Sequence, residues 1–191
     1  MDAIPTEKKK RVSPFKGKKH TPEAKQKMSD VVLKAYLQIK KEYTNIKLAF
    51  VGNTAHADKS FLKEFKQLAE KDKSIKYFVD FVPTEIYEDF LYAADLGIQL
   101  RNTSNGQVSG ALSDNISAKL YTLASFDLVK SINSPSYIVS IDGVQTVDKI
   151  ITELKKILQN KKYQNDFSEE RDEYLKEHNF ENYINILLKN L

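Results

Sequence analysis

The sequence predicts an α/β fold in which a parallel β-sheet is flanked by helices. Segments with apolar residues at helical spacing alternate with short, nearly continuous apolar runs. The first such pair is a helix predicted at 22–43 and a strand predicted at 46–51, which we expect to be fully buried. This alternation is typical of a parallel sheet with helices on its faces.

The rest of the chain continues the same pattern. Further strands are predicted at 75–82, 96–100, 120–124 and 137–141. Further helices are predicted at 61–69, 84–92, 126–132, 146–158, 168–177 and 180–191. Thr84 is the expected cap of the helix that it begins. A length of 191 residues suits one domain, and we expect it to occupy residues 22–191 behind a basic segment at 1–21.

Composition excludes several classes of protein. The chain has no Cys, so disulfides, thiolate metal sites and a cysteine nucleophile are excluded. No apolar run approaches the roughly 20 residues of a membrane span, and the N-terminus lacks the apolar core of a secretory signal. His20, His56 and His178 are scattered, with no second ligand at metal spacing. We therefore expect a cytoplasmic protein without a metal site.

A loop of small polar residues follows the strand predicted at 96–100. The stretch 95–114 reads DLGIQLRNTSNGQVSGALSD, an apolar strand, a break at Arg101 and a new helix near Gly110. Backbone N–H groups and the positive end of a helix dipole converge in such a loop, which predicts a phosphate site. An ordinary strand-to-helix turn is the alternative. The expected ligand-binding residues here are Arg101, Ser104, Asn105, Gly106, Gln107, Val108, Ser109 and Gly110.

A family resemblance gives this loop a more specific meaning. The run YAADLGIQLR, the loop NGQVSG and the helix ALSDNISA resemble the C-terminal, donor-binding domain of family-4-type glycosyltransferases of the GT-B fold. The resemblance covers roughly residue 31 to the C-terminus and implies a Rossmann-like domain, half of a GT-B fold, that holds the diphosphate and ribose of a nucleotide-sugar. It places Asp114 at the family's helix acid and Gln107 near its loop acid. Lys119 and Tyr121 stand where the family has Gly and Pro.

The function that this resemblance implies is transfer of a sugar from a nucleotide-sugar to an unknown acceptor. The nucleotide-sugar is a donor substrate, and no cofactor is expected. The family's acceptor-binding half, with its usual catalytic His, has no counterpart in these residues. The chain is then a fragment, the partner of a separate acceptor domain, or a catalytically inactive truncated glycosyltransferase, so enzyme activity is left open.

The N-terminal segment carries the basic character of the chain. Residues 1–29 contain 9 Lys and Arg against 3 Asp and Glu, which leaves 21 against 23 for the rest. A solvated basic tail is the simplest interpretation. In a second interpretation, RVSPFKG resembles the first βα turn of the glycosyltransferase domain, which would make Arg11 and Lys16 ligands of the donor phosphates.

A third interpretation of this segment belongs to another class of protein. Residues 13–29, with SP, GKKHTPE and KMS, resemble a nuclease-associated modular DNA-binding motif of homing endonucleases. In those proteins Lys and Arg of the motif contact DNA phosphates. The alternative function is therefore that of a DNA-binding accessory protein that uses residues 11–29.

The composition of the N-terminal segment also predicts which strands the sheet contains. Residues 1–10 are too polar for a buried strand, so the sheet should lack the first strand of the glycosyltransferase domain. The strands predicted at 46–51 and 96–100 should then be directly paired or separated by a gap.

Overall fold

The structure is a computed structural model that describes residues 28–51, 59–78, 81–101 and 108–189. Within these residues helices and parallel strands alternate, which confirms the α/β, Rossmann-like fold class. The strands are β1 (Leu48–Phe50), β2 (Ile75–Tyr77), β3 (Gly97–Gln99), β4 (Thr122–Ser125) and β5 (Ile138–Ile141). The α-helices are α1 (Met28–Ile39), α2 (Lys59–Lys71), α3 (Thr84–Ala93), α4 (Gly110–Ser117), α5 (Phe126–Lys130), α6 (Val147–Asn160), α7 (Ser168–Glu177) and α8 (Phe180–Lys189).

The five described strands form two parallel sheets. One has the order β1-β2, with Leu48 opposite Ile75. The other has the order β3-β4-β5, with Gly97 opposite Thr122 and Thr122 opposite Ile138. Among the described residues β1 and β3 do not pair with each other, so direct pairing of these strands is not observed.

Helix α1 packs into both hydrophobic clusters of the core. Leu33 and Tyr36 face a small cluster with Phe65 of α2 and Ile75 of β2. The opposite side of α1 faces the main cluster, which lies between α1, α4, α5, α6 and the strands β4 and β5. The largest side chains buried in this main cluster are Ile39, Leu112, Ile116, Leu123, Leu128, Tyr137, Ile141 and Ile150. Because α1 packs on both clusters, it connects the two sheets to each other.

Polar contacts fix the end of α1 against the turn before β2. The Tyr36 hydroxyl lies 2.7 Å from Ser74 Oγ. Lys40 Nζ donates to Asp72 Oδ2 at 2.5 Å and also contacts Ser74 Oγ. This hydrogen bond from Lys40 is the main reason why the pKa of Asp72 falls to about 2, and bonds from Ser74 add to it.

Two sequence predictions are wrong in detail. Strand β1 was expected to be fully buried, but Leu48 and Phe50 are half-buried and Ala49 is exposed. An apolar run predicts burial only if a neighbour covers both faces of its strand. Thr84 is the first residue of α3 and not its cap, since Pro83 takes the cap position and offers no side-chain hydrogen bond.

Candidate functional site

The carboxyl ends of β3 and β4 lie together, because neighbouring parallel strands end at the same edge of a sheet. Ser125, the last residue of β4, ties these ends to each other. Its Oγ accepts a hydrogen bond of 2.7 Å from the backbone N–H of Arg101 and donates one of 3.1 Å to the Arg101 carbonyl. The backbone of Arg101 is thereby held beside the end of β4.

The start of α4 lies next to this edge. Ser109 is the cap residue of α4 and is only 2% exposed. Its Oγ accepts from the backbone N–H of Leu112 at 3.4 Å and from Nη2 of Arg101, also at 3.4 Å. A guanidinium group and the positive end of a helix therefore meet at Ser109, which is an arrangement that favours an anion.

Space is open above the first turn of α4. Apart from the two chain neighbours and the backbone of α4 itself, a Cβ atom added at Gly110 would have no described atom within 4 Å. Val108, on the other side of the cap residue, is 62% exposed. Among the described residues there is therefore free space beside Gly110, in the first turn of α4.

Asp114 lies one turn further along α4 and is exposed. Its Oδ2 accepts a hydrogen bond of 2.9 Å from the hydroxyl of Tyr87 on α3. Burial, together with the hydrogen bond and the charge of Asp114, raises the pKa of Tyr87 to about 12. Tyr87 therefore stays a neutral donor at physiological pH and orients the carboxylate.

A close contact sets the position of α4 over β3. A Cβ atom added at Gly97 would lie 2.6 Å from Asn115 Nδ2 and 2.6 Å from Thr122 Oγ1. Asn115 Nδ2 donates to Thr122 Oγ1 at 3.1 Å, and Thr122 Oγ1 donates to the Leu120 carbonyl at 2.7 Å. Only glycine at position 97 lets this buried pair lie against the strand.

The structure brings together part of the predicted site. Arg101 and Ser109 are in contact, with Val108 and Gly110 next to Ser109 in the chain and Asp114 on the same helix. The other predicted ligand-binding residues, Arg11, Lys16, Ser104, Asn105, Gly106 and Gln107, lie outside the described residues. Sequence reasoning missed Tyr87 and Ser125. The Ser at the end of an apolar strand is the only signal that pointed to Ser125, and none pointed to Tyr87.

Other kinds of site receive no support from the described residues. They contain no group of three or more His, Asp or Glu side chains that could hold a metal ion. None of the described helices has the length and apolar character needed to cross a membrane. In the same residues every buried side-chain nitrogen and oxygen has a hydrogen-bond partner.

Comparison with known protein families finds a match in the N-terminal segment. Residues 8–29 match the NUMOD3 motif, a nuclease-associated modular DNA-binding motif. The match confirms the resemblance noted for residues 13–29 and begins further toward the N-terminus. It covers a small part of the chain and lends no support to the glycosyltransferase resemblance. No curated protein matches the chain.

Proposed function

We propose that this chain is a DNA-binding accessory protein that contacts duplex DNA through residues 8–29. The match of these residues to the NUMOD3 motif is the observation that carries the proposal. The same residues contain 9 Lys and Arg against 1 Glu, so the segment is strongly positive although the whole chain has a formal net charge of only +4. Lys and Arg side chains that neutralise DNA phosphates supply most of the affinity in sequence-independent binding.

The end of the motif is continuous with helix α1. Helix α1 starts at Met28, so the last residues of the motif are also the first residues of α1. Val31, Val32 and Ala35 in the next turns of this helix are buried in the main cluster. The segment therefore continues into the core without a flexible linker after Met28. DNA bound at the last residues of the motif, Met28 and Ser29, would lie close to α1.

Charges within the described domain support a localised DNA contact. On α1, Lys34 forms an ion pair of 2.8 Å with Asp30, and Lys40 forms one of 2.5 Å with Asp72. Beyond residue 29 the chain has more acidic than basic residues, 23 against 21. The domain itself should therefore add little affinity for DNA, and the segment should account for most of it.

A gel-shift titration of full-length and truncated protein tests this proposal. Deleting residues 1–20 removes most of the segment's cations and should abolish the shift of a duplex DNA probe at physiological salt. Circular dichroism of the truncated protein provides the control for folding, because α1 and the two clusters lie outside the deletion. Equal duplex affinity of a folded truncated protein and the full chain would contradict the proposal.

A second candidate function is binding of a nucleoside diphosphate, as the donor half of a glycosyltransferase. The contact between Arg101 and Ser109 at the start of α4 is the observation that favours it. The diphosphate would lie against the Arg101 guanidinium and the first N–H groups of α4, and Asp114 would accept hydrogen bonds from ribose hydroxyls. Sugar transfer would additionally require an acceptor domain to exclude water and align the acceptor.

Titration calorimetry with uridine and guanosine diphosphate tests this second function. Asp114→Ala should weaken binding by roughly 1–3 kcal/mol, because ribose hydroxyls would lose a charged acceptor. Glu64→Ala, which removes an exposed carboxylate from α2, is the matched control and should bind as the native protein does. Absence of heat with either nucleotide at millimolar concentration, from folded protein, would remove this candidate.

A further inference from the structure

Strand β1 uses one of its two edges within the described structure. The backbone N–H of Leu48 donates to the Ser74 carbonyl at 2.9 Å, and the Phe50 carbonyl accepts from the N–H of Phe78 at 3.1 Å. In a parallel ladder alternate residues bond to the same neighbour. The N–H and C=O of Ala49, between these residues, therefore point away from β2.

Strand β3 has the same arrangement on its side. The N–H of Gly97 donates to the Tyr121 carbonyl at 2.8 Å, and the register places Gly97 opposite Thr122. The alternation assigns Gly97 and Gln99 to the bonds with β4. The N–H and C=O of Ile98 therefore point away from β4, on an edge where no described strand pairs with β3.

Both strands nevertheless lie against one core. Leu48 and Phe50 of β1 and Ile98 of β3 pack on the main cluster, which α1 and α6 cover. Strands β1 and β3 are edge strands of two sheets that pack on the same cluster. Their N–H and C=O groups on the edges without a described partner therefore lie close to apolar side chains. Such edges template pairing with another strand, and proteins normally cover or fill them.

We propose that an apolar β-strand of a partner polypeptide inserts between β1 and β3, pairs with Ala49 and Ile98 at the same time and joins the two sheets into one. A strand in the middle of a parallel sheet is buried on both faces, so the partner segment should be a run of Val, Ile and Leu residues. The backbone supplies the affinity and the core side chains of β1 and β3 select apolar residues, as in other cases of strand addition.

The composition of residues 1–191 is the reason why we do not assign the strand to them. A strand that precedes α1 would be placed beside β1 by a right-handed crossover, and residues 1–27 are the segment that precedes α1. These residues contain 9 Lys and Arg and no two consecutive large apolar residues. Nor do the other undescribed segments, 52–58, 79–80, 102–107 and 190–191, contain two such residues in a row.

Amide hydrogen exchange followed by NMR on the full chain tests this inference. In the chain alone the amides of Ala49 and Ile98 should exchange rapidly, while those of Phe50 and Gly97, which lie in the ladders, should be protected. Addition of the synthetic peptide Lys-Lys-Val-Ile-Val-Ile-Val-Lys-Lys in excess should slow exchange at Ala49 and Ile98 together, by about tenfold or more.

A second peptide with the same sequence but N-methylated at alternate residues is the control. It keeps the apolar side chains and lacks the N–H groups needed for pairing, so it should protect neither amide. The inference is overturned if Ala49 and Ile98 are already protected in the monomeric chain, because the edges are then filled or closed by this chain itself. It is also overturned if the unmodified peptide protects only one of the two amides, or neither.

Discussion

Replacement of Gly97 by Ala tests the packing that positions α4 at the candidate site. The new Cβ atom would lie 2.6 Å from both Asn115 Nδ2 and Thr122 Oγ1 and 3.2 Å from Leu120 Cδ2. Overpacking of this kind costs about 1–3 kcal/mol. Separation of the Asn115–Thr122 hydrogen bond adds about 1 kcal/mol.

One effect acts in the opposite direction. Alanine restricts the unfolded chain and so stabilises the folded protein by about 0.4–1 kcal/mol where its backbone conformation is allowed. Gly97 does not have a positive φ, so this gain applies. The net expectation for Gly97→Ala is a loss of about 1–3 kcal/mol in the free energy of unfolding, measured by urea denaturation.

Gly110→Ala is the matched control for this experiment. It makes the same chemical change in the first turn of α4, where an added Cβ meets no described atom within 4 Å other than its chain neighbours and the backbone of α4. Since alanine is the better helix former, this variant should be as stable as the native protein or slightly more stable. Equal stability of Gly97→Ala and Gly110→Ala would refute the close packing of α4 on β3.

Three further predictions concern stability. Because the pKa of Tyr87 is raised to about 12, the stability that its neutral hydroxyl contributes is present below the unfolded pKa of about 10 and is lost as pH rises through about 12. Tyr87→Phe removes the bond to Asp114 and should lower the free energy of unfolding by about 1 kcal/mol at pH 7. In urea denaturation this variant should also lose less stability at alkaline pH than the native protein does. Because Lys40 lowers the pKa of Asp72 to about 2, the stability difference between native protein and Asp72→Asn should be present above pH 3.8 and vanish as pH falls to about 2, as followed by thermal melts. Thr146 caps α6 through its side-chain oxygen, so Thr146→Ala should lower the free energy of unfolding by about 1 kcal/mol in urea denaturation. Thr146→Ser keeps a capping hydroxyl and should be nearly as stable as the native protein.

The sequence predicted the order of elements well where the apolar pattern is long. Helix α7 begins and ends where it was expected, and α6 extends two residues beyond the predicted 146–158. Strands were less well bounded, since within the described part of the run predicted at 75–82, which leaves out residues 79–80, β2 spans Ile75–Tyr77. Strand length depends on the partner strand, and β1 offers three residues for pairing. An apolar run contains no information about its partner.

The candidate site was predictable as a loop and not as a three-dimensional arrangement. Ser109 and Gly110 stand out because small residues precede a helical pattern, and their place at the start of α4 follows from it. The hydrogen bonds from Tyr87 to Asp114 and from Arg101 to Ser125 join residues more than 20 positions apart. Such contacts arise from the packing of α3 and β4 on their neighbours, which local patterns do not specify.

Salt dependence of duplex DNA binding tests the proposed function most directly. Each phosphate that is neutralised contributes about −0.9 to the slope of log affinity against log salt. The segment offers six cations in addition to Lys8, Lys9 and Lys10, namely Arg11, Lys16, Lys18, Lys19, Lys25 and Lys27. If these six contact DNA, the slope for the native protein should reach about −4 to −6.

Two charge variants of the full chain complete the measurement. Replacement of those six cations by Gln should weaken binding at every salt concentration and bring the slope to about −3 or closer to zero, since only Lys8, Lys9 and Lys10 of the segment remain to neutralise phosphates. The matched control replaces six exposed lysines of the described domain, Lys47, Lys63, Lys66, Lys71, Lys73 and Lys76, by Gln and has the same net charge. The proposal predicts that this control keeps most of the native slope, and an equal loss of slope in both variants would contradict it.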